Sequence, residues 1–231
     1  MIPLEHQWLG RVDYLPTWEL QKERRAAIQG DASVPDLLLT LEHPPVLTSG
    51  RRARAENLRA DPAELDGVEV LAIERGGDWT YHGPGQLVLY GVVSLRRRRL
   101  AVKTWVKVLE DAMCDVAGDV FAACGADLGD DRFGLRCDAP GAWLLRGDGT
   151  SAKVGAVGVH VGHGVTLHGL ALNVDPAPWG FDWIVPCGLD GEETTSLAKL
   201  VAAGGGDPAA LPSVEEIGER LADAVALAIG S

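Results

Sequence analysis

The sequence predicts a single α+β domain, a mixed and mainly antiparallel sheet with flanking helices. Three observations carry that expectation. Short apolar runs of strand length, bounded by glycine or proline, punctuate the N-terminal half. Several β signals follow one another between Asp131 and Val174 with no helical pattern among them. Two stretches, beginning near Val102 and Ser213, repeat apolar residues at helical spacing. A chain of 231 residues can bury all of this around one unit spanning 1–231.

In order, Glu5 to Tyr14 reads as a strand, and Pro16 to Gln29 as a helix with proline in its first turn and Gly30 past its end. Asp36 to Leu41 is a buried strand stopped at His43-Pro44-Pro45. Arg51-Arg52-Ala53-Arg54 is a basic run, a pattern that usually marks a solvated loop. Val68 to Ile73 and Leu87 to Val93 are strands, so Arg75 to Tyr90, with its four glycines, is expected to be the loop between them. After Arg96 to Arg99 comes a helix carrying Val102, Trp105, Leu109, Met113, Val116 and Val120 on one stripe and stopping at Gly125. Cys124 belongs to that stripe and Cys114 flanks it, so both read as small core residues. Asp131 to Val174 is expected as an antiparallel meander. Gly204-Gly205-Gly206 reads as a linker to a C-terminal helix at about 213–229, which opens with the capping box Ser213-Val214-Glu215-Glu216.

Composition narrows the function. A net charge of −12 leaves no surplus of cations for a general nucleic-acid binder. The first residues lack the basic start and apolar core of a signal peptide, and no apolar run is long enough to span a bilayer, so a cytoplasmic protein is expected. The four cysteines form no Cys-x-x-Cys pair, and His160, His163 and His168 match no familiar ligand spacing, so no metal is expected. Any important cysteine should act as a single thiol.

Lys153 lies in the strand Ser151 to Val161, where alternation places it with Val157, Val159 and Val161. Two roles fit a lysine on an apolar face: snorkelling at the strand end, or partial desolvation that makes it useful as a base. A three-residue loop at Gly162 to Gly164 would pair Val161 with Val165, Gly155 with Ala171 and Lys153 with Asn173. The lysine's face would then carry Gly155, Gly169 and Ala171, a bare slot for a slender ligand. Cys187 sits between Pro186 and Gly188, without a helical stripe to explain it. It reads either as a buried loop cysteine or as a nucleophile assisted by Lys153, His82 or His168. A Cys-His hydrolase with water as acceptor fits the same residues.

Taken in series, several motifs resemble one family. They are Leu41-Glu42-His43-Pro44-Pro45 with Thr48 to Arg51, Arg75 to Tyr90, Lys153 to Gly158, Thr166 to Val174, and Pro186-Cys187-Gly188 with Thr195-Ser196-Leu197. Over roughly Leu41 to Leu197 the chain is similar to the lipoyl(octanoyl) transferases of the biotin/lipoate protein ligase-like superfamily. The resemblance implies octanoyl transfer from octanoyl-acyl carrier protein to a lysine of a lipoyl domain. The acceptors it implies are the E2 subunits of 2-oxoacid dehydrogenases and the glycine cleavage H protein. It implies an acyl-thioester on Cys187, activation by Lys153, and no cofactor or ATP. It also assigns substrate binding to Arg75, Gly76, Gly77, Asp78, Trp79, Thr80, Tyr81 and His82, to Ala156, Val157 and Gly158, and to His168, Gly169, Leu170 and Ala171. His82 is expected to shape the pocket wall rather than move the proton.

The chain departs from the family pattern at Gly91, where proline is common, and in the strongly basic run Arg96 to Arg99. Since acyl carrier proteins are acidic, a chain of net −12 needs a local positive face, for which Arg51 to Arg54 or Arg96 to Arg99 are the candidates. A monomer is expected. The rival readings are an ATP-dependent lipoate or biotin ligase and a non-catalytic acyl-binding module.

Overall fold

The computed structural model describes residues 2–61, 65, 67–177, 180–185 and 191–230. The chain runs β1 (Leu4–Arg11), α1 (Tyr14–Gly30), β2 (Asp36–Glu42), β3 (Val46–Ser49), β4 (Glu69–Ala72), β5 (Trp79–His82), β6 (Gln86–Val92), α2 (Leu95–Arg98) and α3 (Val102–Ala123). It continues through β7 (Arg132–Gly134), β8 (Ala142–Leu145), β9 (Ser151–Gly162), β10 (Val165–Asn173), β11 (Glu193–Thr194), α4 (Leu197–Ala203) and α5 (Val214–Ala228).

Among the described residues, one sheet of eight strands has the order β1-β2-β6-β10-β9-β8-β7, with β11 paired to β9. Its pairs are antiparallel except β1 with β2 and β11 with β9. A second sheet, β4-β3-β5, lies apart from it.

The central strands are apolar on both faces, as strands covered on both sides must be. In β2, Leu38 joins one core while Leu37, Leu39 and Leu41 join the other; in β6, Leu87 and Leu89 oppose Val88, Tyr90 and Val92 in the same way. The first core is closed by α3, through Trp105, Leu109, Met113 and Val116, and by α5, through Ile217, Leu221 and Val225. The second is closed by α1, through Tyr14 and Ile28, together with Val46 and Ile73 from the segments of the small sheet.

The departure at Gly91 has a packing cause. A Cβ built there would lie 2.5 Å from Cζ2 of the fully buried Trp105, so glycine makes room for the indole.

Several expectations need correction. Arg75 to Tyr90 is not a single loop between two strands of one sheet: it contains β5, and it passes from the small sheet to the main one. The β9–β10 turn has two residues, not three. His163 at φ 51° and Gly164 at φ 81° take the left-handed conformations that match the strands' twist, and Val165 pairs with Gly162. Register therefore slips by one, so Ala171 faces Ala156 and Gly155 faces Leu172.

Alternation along β9 also breaks. Ala142 pairs with Gly155 but Trp143 with Lys153, leaving Val154 as an inserted residue buried in the α3 core. A Cβ on Gly155 would also point there, 2.8 Å from Met113 Sδ. Lys153 is thereby turned away from the α3 core, toward Ala156 and Ala171, and it also borders the cleft that Val157 and Val159 line.

The triple glycine is not a free linker. It follows α4, which the sequence reading missed, and Asp127 N donates to Gly204 O while Asp207 N donates to Cys124 O. The capping box of α5 forms as expected: Glu216 N donates to Ser213 Oγ at 3.2 Å and Ser213 N to Glu216 Oε2 at 2.8 Å. The basic run is half structural. Arg98 Nε donates to Asp36 Oδ2 at 2.6 Å and Arg97 binds Asp36 Oδ1, both on a carboxylate with no exposed side-chain surface. Arg96 and Arg99 alone of the four remain exposed.

Candidate active site

The small sheet is docked on β9 by its glycine-rich segment. Gly76 N donates to Val159 O at 3.1 Å. A Cβ on Gly158 would lie 3.2 Å from Arg75 Cδ and 3.3 Å from Gly76 O, so glycine lets that backbone lie flat across the strand. Arg75 is buried, and its guanidinium donates to Thr48 O at 2.6 Å and Thr48 Oγ1 at 2.9 Å. Asp78, also buried, fixes the next turn. Its Oδ1 accepts from Trp79 N at 2.8 Å and Arg54 N at 3.1 Å, and its Oδ2 accepts from Asn57 Nδ2. A buried carboxylate satisfied by three donors holds its turn rigidly.

Between the docked sheet and the main sheet lies a narrow slot of about 50 Å³. Its floor is Ala156, Val157, Gly158, Gly169, Leu170 and Ala171; its wall is Arg75, Gly76, Gly77, Asp78, Thr80 and His82; Tyr14, Tyr90 and His168 close the end away from Lys153. Past Gly76–Asp78, Val157 and Gly158 the slot widens into a cleft of about 470 Å³, lined by Arg52, Arg54, Asp138 and Lys153.

Thirteen of the fifteen positions assigned to binding by resemblance thus meet in one place. Trp79 and Tyr81 do not, because β5 alternates: Thr80 and His82 face the slot, while Trp79 and Tyr81 pack with Leu47, Phe181 and Trp183 on the other side. Sequence reasoning missed Tyr14 and gave Tyr90 no role. Tyr90 was findable, since alternation in β6 puts it opposite Leu89. Tyr14 offered no local signal.

Burial sets the histidines' chemistry. His43 Nδ1 donates to Val12 O at 2.7 Å and its Nε2 accepts from the Tyr90 hydroxyl at 2.8 Å, which fixes a neutral tautomer. Desolvation lowers its pKa to about 4, and desolvation with the neighbouring His43 lowers that of His82 to about 3. A histidine so depressed is a poor base at neutral pH. His82 Nδ1 is bonded to Gln86 Oε1 at 2.6 Å, Gln86 Nε2 donates to Asn173 Oδ1 at 2.9 Å, and Asn173 Nδ2 donates to Thr195 O at 2.9 Å.

His168 is held at φ 59° inside a strand, a conformation costing a non-glycine residue of order 1 kcal/mol or more. Its backbone N–H is turned to Gln21 Oε1 at 2.8 Å, its Nδ1 lies 3.4 Å from the Tyr14 hydroxyl, and its Nε2 lies 3.7 Å from Glu74 Oε2. Burial lowers its pKa, and Glu74 works against that. Burial would raise the Glu74 carboxyl, but the nearby His168 ring, its own amide and the bond from the Trp18 indole outweigh it and hold the group at about 2.

Lys153 is buried, with its Nζ 5.1 Å from the centroid of the Trp143 ring. It also lines a small chamber with Thr80, Gln86, Ala156, Ala171 and Asn173, continuous with the slot through Thr80, Ala156 and Ala171. Cys187 lies outside the described residues. The chain on either side of it is tied to the site: Val185 N donates to Asn57 O at 2.7 Å, β11 pairs with Ala152 and Lys153, and Thr195 N donates to Lys153 O at 2.8 Å. Of the other cysteines, Cys124 is buried, Cys114 half-buried with its thiol pushed up to about 11 by burial, and Cys137 exposed. Among the described residues, no group of three or more His, Cys, Asp or Glu side chains is placed to hold a metal ion, and no helix is long and apolar enough to cross a membrane.

Residues 13–226 match the family model described as lipoyl protein ligase A/B catalytic domain. The octanoyltransferase of Chloroflexus aurantiacus is 40% identical over 224 residues, covering 96% of this chain and 92% of its own. The mitochondrial octanoyltransferase of Arabidopsis thaliana is 39% identical, covering 97% and 88%. Among solved structures, a bipartite lipoate protein ligase from Thermoplasma acidophilum, studied with its E2 lipoyl domain, aligns with a TM-score of 0.60 at 15% identity, covering 99% of this chain and 84% of that one. A lipoate-protein ligase A bound with ATP aligns with a TM-score of 0.59 at 13% identity, covering 98% and 85%. At such identities these two speak for the fold.

Proposed function

The chain belongs to the lipoyl protein ligase A/B catalytic-domain family, and we propose that it is an octanoyltransferase of protein lipoylation that carries the acyl group on Cys187. The donor is octanoyl-acyl carrier protein and the acceptor a lysine of a lipoyl domain, on E2 subunits and the glycine cleavage H protein. The enzyme acts as a monomer in the cytoplasm, without ATP or another cofactor.

The observation that carries this reading is the position of Lys153, a buried lysine between a slot floored by the small residues Ala156, Gly158, Gly169 and Ala171 and an arginine-lined cleft. The slot suits a slender apolar chain and the cleft an acidic carrier. Lys153 accepts the proton of the Cys187 thiol, and the thiolate attacks the donor's thioester carbonyl. The carbon–sulfur bond to the carrier breaks, and the departing thiolate takes the proton back from Lys153. In the second half the acceptor amine attacks the acyl-enzyme, Cys187 leaves as thiolate, and the amine's proton returns through Lys153. His82, neutral and bonded to Gln86, shapes the wall. Of the two basic runs, Arg51 to Arg54 serves the carrier, since Arg52 and Arg54 line the cleft while Arg97 and Arg98 are bound to Asp36.

Intact-mass spectrometry after incubation with octanoyl carrier protein, with no ATP present, tests the reading. A hydroxylamine-sensitive octanoyl adduct is expected, absent in Cys187→Ala and slow to form in Lys153→Ala. An adduct that persists without Cys187, or that requires ATP, overturns it.

A further inference from the structure

Lys153 is held by a turn that a carboxylate on α3 keeps in place. Glu110 is half-buried at the edge of the helix's apolar stripe, and its Oε1 accepts from Gly141 N at 2.7 Å. Gly141 has φ 134°, where only glycine is comfortable, and a Cβ there would lie 2.3 Å from Gly155 O and 2.8 Å from Lys153 Cε. The turn's backbone therefore rests directly against the lysine's stem. The same turn carries Ala139, whose O accepts from Trp143 Nε1 at 2.9 Å, and the Trp143 ring faces the lysine's Nζ.

We propose that Glu110 is a positioning residue for Lys153: through Gly141 it seats the turn that confines the lysine's stem and orients Trp143 beneath its ammonium. This rests on the reading of Lys153 as the proton carrier. The carboxylate also adds a negative charge on the lysine's side of the site. Burial raises the pKa of Glu110 and the Gly141 amide lowers it; Asp111 adds to the rise, while Lys107 and Lys153 oppose it. The titratable and charged groups around the pair are Lys107, Asp111 and Cys114 on α3 and Arg52, Arg54 and Asp138 along the cleft.

Losing the carboxylate loosens the turn. The test measures the kinetics of acyl-enzyme formation for wild type, Glu110→Ala, Glu110→Gln and Lys153→Ala, with thermal unfolding alongside. Glu110→Ala is expected to lower kcat about tenfold with KM for the octanoyl donor within about twofold, as misplacement of a proton-transfer group does. Glu110→Gln keeps an oxygen for Gly141 N and should recover most of kcat. Wild-type kcat in Glu110→Ala overturns the proposal, as does a Glu110→Gln as slow as Glu110→Ala. Should Glu110→Ala fail to fold, Glu110→Asp, one methylene short of Gly141 N, takes its place, with the same loss of kcat expected and wild-type kcat overturning the proposal. Lys153→Ala separates the two levels: wild-type acylation there defeats the parent reading, whereas slow acylation there beside an unaffected Glu110→Ala defeats only the role of Glu110.

Discussion

The two faces of the main sheet are buried by different means, and the larger core lies under α3 and α5. Under α3 and α5 the core is mostly apolar, from Leu38 to Ile229, with the buried Thr40 hydroxyl bonded to His6 beside Gly218 of α5. Under α1 and the small sheet, Tyr14, His43, His82, Tyr90 and His168 are buried with named partners, and the slot opens among them. Apolar contact is non-directional, so the first face needs only volume and shape. Polar groups kept from water need specific partners, so the second is a site of defined geometry. One face supplies stability, and the other spends some of it to hold a cavity.

The largest test of this division is Trp105→Ala. It removes the biggest side chain of the dry face and should cost about 3–5 kcal/mol in denaturant unfolding, with activity per folded molecule unchanged. A loss of activity in the folded fraction would mean the faces are coupled.

Acid comes next, and it should act on the slot face. His43 and His82 have folded pKa values of about 4 and 3 against an ordinary 6.5. The unfolded chain therefore takes up their protons first as pH falls below about 6.5. Their stabilisation is complete above that pH and is lost, at about 1.4 kcal/mol per pH unit for each, down to the folded values. A pH series of unfolding free energies should show this slope, and His82→Gln should make it shallower.

Filling the slot should cost less, and it should appear in substrate terms. Ala156→Leu should raise KM for octanoyl donor about tenfold, near 1.4 kcal/mol, and favour shorter acyl chains, as competition assays would read. The smallest effect belongs to the rim. Arg52→Glu with Arg54→Glu should lower kcat/KM for the carrier-bound donor about fivefold at low salt, a difference that 0.5 M salt should erase.

What the sequence determined alone is local. The period of apolar residues specified most strands and helices, and Ser213 with Glu216 announced the start of α5, because both depend on neighbours a few residues away. The series of motifs from Leu41 to Leu197 placed the chain in its family and gathered most of the slot's residues. Tertiary structure decided the rest. Alternation carries a side chain's direction along a strand only until a residue is inserted, and Val154 is such a residue: it sends Lys153 to the chamber beside the slot, and a two-residue turn shifts β10 by one against β9. Arg97 and Arg98 looked like surface charge until Asp36, about sixty positions earlier, claimed them in the packed chain. Insertions and long-range partners leave no periodic trace, so only packing reveals which face a residue serves.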